Sequence, residues 1–423
     1  MRLAHAARAA APLLLALGLV VSACAESDTG VPHPTDRLDY PVGVTADPSG
    51  RVVWVTSGNF DLAYRGAAVL AIDVATQQFV PQSAFEIGGF PGDFHILQRN
   101  GEAVAGYVLS RDTDSLYFVK LGGAPQAPEV TCPGGKRGGA ESILKCPDDE
   151  AIELHDVSND SDTARLVVGP DPYGAVVRLS RSEAEPDLLL TGALVDGTVA
   201  SFELAEDGTP ELVGNLDLAS SLFGFAVSPA SGRVYTTHKS SNVFDVLEIH
   251  APAATEEPSL TNPYLRLVSQ VQIPEGIAFD RARDIAVSGD GTRLYASYRS
   301  PSSLVVVDIS EDADGNPRNH VLHKIPVSQG AGSIAVVPGT GASDERVFVS
   351  CYTDDRVEVV DPYAGQVVAS VRTGRGPFGM AFVDNPALGI RRLYVAHFRD
   401  SSVGVIELDP SSPHYLSLVA EIR

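Results

Sequence analysis

Near its C-terminus the chain reads Leu393-Tyr394-Val395-Ala396-His397, then the polar residues 399–402, then Val405-Ile406-Glu407. Both apolar segments are short and rich in β-branched or aromatic residues, which is typical of β-strands. The intervening residues, Arg-Asp-Ser-Ser, are of the kind that favour tight turns. The stretch therefore predicts two antiparallel strands joined by a short loop, the second ending in an acidic residue.

The same pattern recurs along the chain. A bulky residue marks the middle of seven such strands: Trp54, Tyr107, Leu190, Tyr235, Tyr295, Phe348 and Tyr394. Thirteen positions after the last six lie Lys120, Glu203, Glu248, Asp308, Asp361 and Glu407, so five of those six are acidic. The first copy has six additional residues around Asp61–Gly66 and places its acid at Asp73.

Each copy also contains an inner strand, a Gly- or Pro-containing turn and an outer strand. Four short strands repeated seven times predict an all-β fold, a seven-bladed β-propeller with four antiparallel strands per blade over residues 41–423. Such a blade cannot bury its two faces alone and needs a neighbour on each side. A two-sheet sandwich is the alternative, but it would not repeat one strand pattern seven times.

A family resemblance supports the same fold. The stretches around Tyr394 and around Leu294-Tyr295-Ala296-Ser297-Tyr298 resemble YVTN-type propeller repeats, a broad group that includes lactonase-like and amine-dehydrogenase-like propellers. The resemblance covers roughly residues 41–423 and implies the fold more than a function, since the group holds enzymes, redox subunits and binding proteins. The last motif position is typically Asn in the group. Here that position is Ser57, Ser110, Ala193, His238, Tyr298, Cys351 and His397.

The N-terminus has the layout of a secretory signal. Arg2 and Arg8 precede an apolar run from Ala9 to Val21, which is too short for a mature membrane span. The following Ser22-Ala23-Cys24 resembles a bacterial lipobox, so we expect a signal peptide over 1–23 and acyl chains such as palmitate on Cys24. Residues 24–40 are polar and contain two prolines, which predicts a flexible tether.

The charge composition limits the kinds of partner that the protein is expected to bind. The formal net charge is −23, and Lys and Arg do not cluster, so we expect no nucleic-acid partner. The predicted membrane contact is therefore the lipid anchor. Ala25 follows Cys24, and an Asp at that place usually marks inner-membrane retention in Gram-negative lipoproteins. The resemblance implies an outer-membrane lipoprotein of the bacterial cell envelope.

The remaining cysteines divide into a pair and a single residue. Cys132 and Cys146 flank a Gly-rich segment, and an exported protein meets oxidising conditions, so we expect them to form a disulfide. They lie in an inserted loop at about 122–164 that interrupts blade 2 before its last strand, which we place at residues 165–168. The loop is either a functional excursion or a neutral insertion. Cys351 stands alone.

The mouth of the central channel is the expected ligand face. Loops that enter the innermost strands and loops that follow the second strands meet there, which selects His95, His238, Tyr298, Cys351, Phe378 and His397 as its candidate residues. A His and Cys ring could bind a metal, but His238 and His397 belong to blades on nearly opposite sides of the ring. We therefore predict no metal, no cofactor and no identifiable catalytic residue.

Two functions remain open at this point. The first is an envelope-anchored, non-catalytic binding propeller. It would present either the face at the channel mouth or the inserted loop with the Cys132–Cys146 disulfide to a protein or glycan partner. The second is a lactonase-like or amine-dehydrogenase-like enzyme with its site at the channel mouth. The motif-end positions hold no carboxylate, and a lactonase needs several carboxylates or a metal there. The residues therefore favour binding.

Overall fold

The structure is a computed structural model that describes residues 30–139, 142–146, 152–153, 170–250, 262–273, 280–339 and 341–423. These residues form seven sheets of antiparallel strands arranged as a β-propeller, with almost no helix. The predicted fold is confirmed, and each of the seven bulky marker residues lies in the second strand of its blade. The described helices are single 3₁₀ turns (Pro81–Ser83, Ala342–Asp344 and Pro386–Leu388), none long and apolar enough to cross a membrane.

The strands follow one another through the blades in chain order, from the channel outward. Blade 1 has β1 (Pro41–Ala46), β2 (Val52–Ser57), β3 (Ala67–Asp73) and β4 (Phe85–Ile87). Blade 2 has β5 (Pro91–Arg99), β6 (Glu102–Ser110), β7 (Ser115–Ala124), β8 (Ala127–Thr131) and, after β9 (Leu144–Lys145), β10 (Ile152–Glu153). Blade 3 has β11 (Pro172–Arg178), β12 (Leu188–Ala193), β13 (Thr198–Leu204) and β14 (Pro210–Asp217).

The other four blades are regular. Blade 4 has β15 (Leu222–Val227), β16 (Val234–His238), β17 (Val243–Ile249) and β18 (Leu265–Gln272). Blade 5 has β19 (Asp280–Val287), β20 (Arg293–Ser300), β21 (Ser302–Asp308) and β22 (His320–Pro326). Blade 6 has β23 (Ala331–Val337), β24 (Arg346–Cys351), β25 (Arg356–Asp361) and β26 (Gln366–Arg372). Blade 7 has β27 (Pro377–Asn385), β28 (Ile390–His397), β29 (Ser402–Glu407) and β30 (Leu418–Ile422).

The hydrophobic core lies between the blades. Seven clusters of buried apolar residues are found, one for each pair of neighbouring blades. The second and third strands are buried on both faces, as in β2 and β3, where every residue is buried. Burial of apolar surface contributes about 25 cal/mol per Å². Stacking is therefore what stabilises each blade.

The recurring acidic residue has a structural role at the turn after the third strand. The Asp73 carboxylate accepts a hydrogen bond from the Thr76 amide (2.7 Å), and Asp361 accepts one from Tyr363 (3.0 Å). Such side-chain bonds close tight turns by satisfying backbone N–H groups. These turns lie at the end of the third strand that is away from the channel mouth, so the repeated acid does not contribute to the mouth.

The ring closes without strand exchange. Blade 7 takes all four strands from the C-terminal part of the chain and blade 1 takes its antiparallel strands from residues 41–87. Their interface packs Leu70 and Ile72 against Tyr394 and Val405. The side chain of Asn385 also donates to the Gly50 carbonyl (3.2 Å). Closure therefore depends on packing and a few polar contacts.

The end of the predicted tether belongs to the folded body. His33 is 2% exposed and its Nε2 lies 2.9 Å from the Ser57 hydroxyl, while Leu38 is buried in the interface between blades 1 and 7. An apolar side chain and a hydrogen-bonded ring thus hold residues 31–40, the last part of the predicted tether, against the folded body. Cys24 and the signal segment lie outside the described residues.

The predicted inserted loop at 122–164 is partly strand. β7 continues through Gly122 to Ala124 and forms a hairpin with β8. The Cys132 and Cys146 sulfurs are bonded, with their Cα atoms 5.8 Å apart. β9 then pairs in parallel with β4, so that Leu144 packs on the outer edge of blade 1. The predicted strand at 165–168 lies outside the described residues, and β10 pairs with the start of β7.

Candidate functional site

The innermost strands share one irregularity at their mouth ends. All seven pair with their second strands through a shift in register near their first residues, as between Pro172 and Gly174 or between Pro377 and Met380. A bulge of this kind kinks a strand and re-aims its side chains. Glycine at the bulge lets neighbouring blades approach closely, since a Cβ on Gly174 would lie 2.5 Å from the Phe223 carbonyl oxygen. The repeated bulge therefore turns side chains into the channel.

A cavity of about 390 Å³ lies at this mouth. Its walls come from the bulged strand starts and from the loops after the second strands. Blades 7, 1 and 2 contribute one set of aromatic residues, which we call the aromatic wall: Phe60, Phe90, Phe378 and Phe398. Blades 2, 4 and 5 contribute the cationic wall: Arg111, Lys239, Arg283 and Arg299. The cavity is thus apolar on one side, while on the other side its cations lie beside the aromatic rings of Tyr173 and Phe223.

The aromatic wall is a continuous cluster. The centre of the Phe60 ring lies 5.0 Å from that of Phe90 and 5.1 Å from that of Phe398, and the ring centres of Phe378 and Phe398 are 6.0 Å apart. These are the edge-to-face and tilted distances that aromatic rings favour. Phe60 belongs to the loop that carries the additional residues of blade 1, and it is 38% exposed. The insertion therefore supplies part of the cavity wall.

The guanidinium groups of the cationic wall stack on aromatic rings. Arg111 lies 5.0 Å from the centre of Tyr173 and also forms a two-bond ion pair with Asp171. Arg283 lies 5.3 Å from the Phe223 ring, which itself stacks on Tyr173 at 4.0 Å. Cation–π stacking holds guanidinium groups in a fixed orientation. The positive charges are therefore held in place before any ligand arrives.

Two carboxyl groups form the floor of the cavity. Asp93 from blade 2 and Asp284 from blade 5 line both this cavity and a second one of about 370 Å³ below it. Desolvation by the surrounding channel walls and the charge of Asp284 raise the pKa of Asp93 to about 7, although part of the residue is exposed to solvent. Burial also raises the pKa of Asp284 to about 6, although the amide of Ile334 donates to its carboxylate (2.7 Å). Near neutral pH the floor therefore carries less than its full negative charge.

His95 lies beside Asp93 in the same layer. Burial lowers the pKa of its imidazole to about 4, so the ring is neutral near pH 7. Within the described ranges, no three His, Cys, Asp or Glu side chains lie close enough together to hold a metal ion. The floor can therefore accept or donate hydrogen bonds, with a neutral imidazole and two weakly acidic carboxyl groups as the partners.

The structure brings two of the six predicted face residues to the cavity, His95 and Phe378. The other four are buried inside the blades and do not line this cavity: His238, Tyr298, Cys351 and His397. His238 contacts Asp245 (2.8 Å), and the Gly374 amide donates to the ring of His397 (3.1 Å). Burial raises the pKa of the Cys351 thiol to about 12 and that of Tyr298 above its usual range.

The residues at the motif ends, from which four of the predicted face residues were taken, lie one position before residues that line the cavity. The motif-end residue still belongs to the second strand, which is buried on both faces between the blades. The next residue lies at the mouth end of the strand or begins the loop, and in five of the seven blades it lines the cavity: Arg111, Leu194, Lys239, Arg299 and Phe398. Another signal was present in the sequence, because six of the seven innermost strands have a Gly within their first three residues: Gly43, Gly92, Gly174, Gly224, Gly332 and Gly379. Gly92 directly precedes Asp93, whereas β19 has no Gly, so this signal would not have located Asp284.

Comparisons with known proteins agree on the fold alone. No protein-family model matches the sequence, and no curated protein matches it. Among solved structures, hydrazine synthase of Kuenenia stuttgartiensis aligns with a TM-score of 0.58 and 14% identity, covering 88% of this chain and 96% of that one. A functionally unknown protein from Desulfotomaculum acetoxidans gives 0.55 and 14%, covering 84% and 92%. A 6-phosphogluconolactonase candidate from Bacteroides uniformis gives 0.55 and 13%, covering 80% and 84%.

Proposed function

We propose that this chain is a non-catalytic binding propeller of the bacterial cell envelope and that its ligand site is the mouth cavity. The observation that carries this proposal is the two-sided wall of the cavity, aromatic on one side and cationic on the other. A largely apolar cavity with a few convergent polar groups is the usual form of a ligand site. Its volume of about 390 Å³ favours a small molecule or a terminal group of a glycan over a flat protein surface.

The anchor is the second part of the proposal. Acylation at Cys24 would hold the propeller at a membrane, with outer-membrane placement supported by Ala25. Because residues 31–40 pack on blade 1, the flexible part of the tether would be shorter than 24–40. Metabolic labelling with a palmitate analogue tests this. Wild-type protein should be labelled and Cys24→Ala should not, and equal labelling of both would reject the anchor.

The ligand site can be tested by two neighbouring substitutions in one loop. Leu194 lines the cavity, whereas Val195 is 58% exposed and does not line it. Leu194→Trp should fill part of the cavity and abolish thermal stabilisation by ligands found in a glycan and metabolite screen, because a bound ligand stabilises the folded state by mass action. Val195→Trp should respond as the wild type does. Equal responses from both variants would place the ligand site elsewhere.

A lactonase-like enzyme is the second candidate, and the floor of the cavity is the observation that favours it. A carboxyl group with a pKa of about 7, as at Asp93, is suited to general acid–base catalysis near neutral pH. The test is hydrolysis of glucono-δ-lactone by wild type and Asp93→Asn. We expect no rate above the spontaneous one from either protein. A catalysed rate that disappears in Asp93→Asn would replace the binding proposal.

A further inference from the structure

We propose that the ligand of the mouth cavity is an organic anion with a flat apolar body. Its acid group would face Lys239, Arg283 and Arg299, and its apolar body would pack against the aromatic wall. This inference rests on the proposed function, since it names the chemistry of the molecule that the same cavity binds. It is carried by the separation of the two walls around the ring.

The charges of the cavity run against those of the whole molecule. The chain has a formal net charge of −23, yet among the described residues four cationic and two acidic side chains line the cavity. Charged side chains that line a concave site raise the local concentration of ligands of the opposite charge. Because cations outnumber carboxyl groups in this lining, the cavity favours an anionic ligand over a cationic one.

Two guanidinium groups of the cationic wall belong to one stack of rings. Arg111 lies 5.0 Å from the centre of Tyr173 and Arg283 lies 5.3 Å from the centre of Phe223, and these two rings stack on each other at 4.0 Å. Arg299 also lies 5.7 Å from the centre of the Tyr352 ring. Guanidinium groups bind carboxylate, sulfonate and phosphate oxygens through paired N–H donors. Because these groups are held by stacking, little side-chain entropy is lost when an anion binds.

The opposite wall selects the body of the ligand. Its four Phe rings present faces and edges and no hydrogen-bonding group, so an apolar ring system would fit there better than a sugar ring with its hydroxyl groups. Blades 7 and 1 contribute only to the aromatic wall and blades 4 and 5 only to the cationic wall, while blade 2 contributes Phe90 to one and Arg111 to the other. A ligand that contacts both must therefore carry its charge at one end and its apolar surface at the other.

Two fluorescent probes test the inference because they differ by one charged group. 1-Anilinonaphthalene-8-sulfonate has a naphthalene body with a sulfonate, and N-phenyl-1-naphthylamine has the same body without it. We expect the sulfonate to bind wild-type protein at one site, at least about tenfold more tightly than the neutral probe, since a hydrogen bond to a charged group contributes about 1.5–3 kcal/mol. Leu194→Trp should abolish this binding.

β20 offers a matched pair of arginine variants. Arg299 lies at the mouth end of the strand and near Tyr352, whereas Arg293 lies at the other end and over Tyr363 at 3.8 Å. Both stack on a tyrosine of blade 6, so both substitutions remove a similar contact. Arg299→Gln should weaken sulfonate binding about tenfold and leave the neutral probe unchanged, and Arg293→Gln should change neither. Phe398→Ala should weaken both probes.

The outcomes separate this inference from the proposed function. If both probes bind the wild type with equal affinity and Arg299→Gln changes neither, while Leu194→Trp still abolishes binding, the cavity is a ligand site but the anionic class is wrong. If neither probe binds at the mouth and the glycan and metabolite screen also finds no ligand sensitive to Leu194→Trp, the proposed function fails as well. Sulfonate binding that persists in Leu194→Trp would show attachment elsewhere and would overturn the inference.

Discussion

Asp93 has no hydrogen-bond partner among the described residues and lies in the same channel layer as Asp284, His95 and the guanidinium of Arg283. Its carboxyl group therefore meets the repulsion of a second carboxylate without local hydrogen bonds to offset it. The raised pKa means that the folded protein binds this proton more tightly than the unfolded chain, whose Asp titrates near 3.8. Stability should fall as pH rises from about 4 through about 7.

Asp93→Asn removes that charge with little change of shape. We expect the variant to melt at a higher temperature than the wild type at pH 8, with the difference shrinking as pH falls toward 4. Thermal unfolding followed by circular dichroism at several pH values measures this. Asp314→Asn, in an exposed turn, is the control and should not show the trend. A loss of stability in Asp93→Asn that is the same at every pH would contradict the role given to Asp93.

His238 also has a raised pKa, but here the charged form of the side chain is the one that the fold stabilises. Its ring is 1% exposed, with Nε2 2.8 Å from the Asp245 carboxylate and Nδ1 3.1 Å from the Ser220 carbonyl oxygen. Burial opposes the charged form, but the hydrogen bond and charge of Asp245 outweigh it and raise the pKa of His238. A raised histidine pKa stabilises the fold fully below pH 6.5, and this contribution is lost as pH rises through the folded pKa.

His238→Gln should therefore destabilise the protein most at low pH. We expect a loss of about 3 kcal/mol or more below pH 6, because one partner of a buried pair is removed, and a smaller loss at pH 9. Denaturant unfolding at the two pH values measures the difference. His414→Gln, at an exposed position, should be neutral at both. An equal loss at both pH values would mean that His238 is not charged in the folded protein.

At the scale of single residues, the predicted motif-end residues differ from the residues that line the cavity by one position in the chain. The repeat located the ends of the second strands, but strand residues alternate between the two faces of a blade, and both faces are covered by neighbouring blades. His238 and His397 are therefore buried, while Lys239 and Phe398 line the cavity. Neither hydropathy nor spacing distinguishes a last strand residue from a first loop residue.

At the scale of single elements, the disulfide segment is the part that the sequence described least well. Between Cys132 and Cys146 the only large apolar residues are Ile143 and Leu144, so the sequence gives little sign of packing there. Both are buried, and the Leu144 amide donates to the Ala84 carbonyl (3.0 Å) at the edge of blade 1. That contact is non-local, and a repeat pattern gives no information about which blade edge an insertion will pair with.

The double variant Cys132→Ser/Cys146→Ser tests how this segment is held. The crosslink spans a sequence separation of 14. In the disputed chain-entropy model, closing such a loop contributes about 3 kcal/mol. We expect the propeller to stay folded and cleavage within 122–164 by a nonspecific protease to become much faster. Cys351→Ala, a change in the core between blades 5 and 6, should lower the melting temperature without this local effect. A double variant that does not fold would make the segment part of the core.

At the scale of the whole molecule, the seven blades were predictable because every blade buries two faces against its neighbours and uses the same strand pattern to do so. Strand order and the bulky marker residue agree in all copies, so the pattern can be recognised even where one copy is irregular. What the repeat could not show is the division of the mouth into two walls, since the residues that form it are the ones that differ between copies. The proposed ligand site therefore depends on residues that depart from the repeat.

A crystal structure of the protein bound to 1-anilinonaphthalene-8-sulfonate is the most direct test of the central claim, that the mouth cavity is the ligand site. We predict one probe molecule in the cavity, with its sulfonate oxygens within hydrogen-bond distance of Arg283 or Arg299 and its naphthalene rings against Phe378 and Phe398. A probe bound between outer strands, or at the mouth with the sulfonate turned away from the cationic wall, would contradict the account.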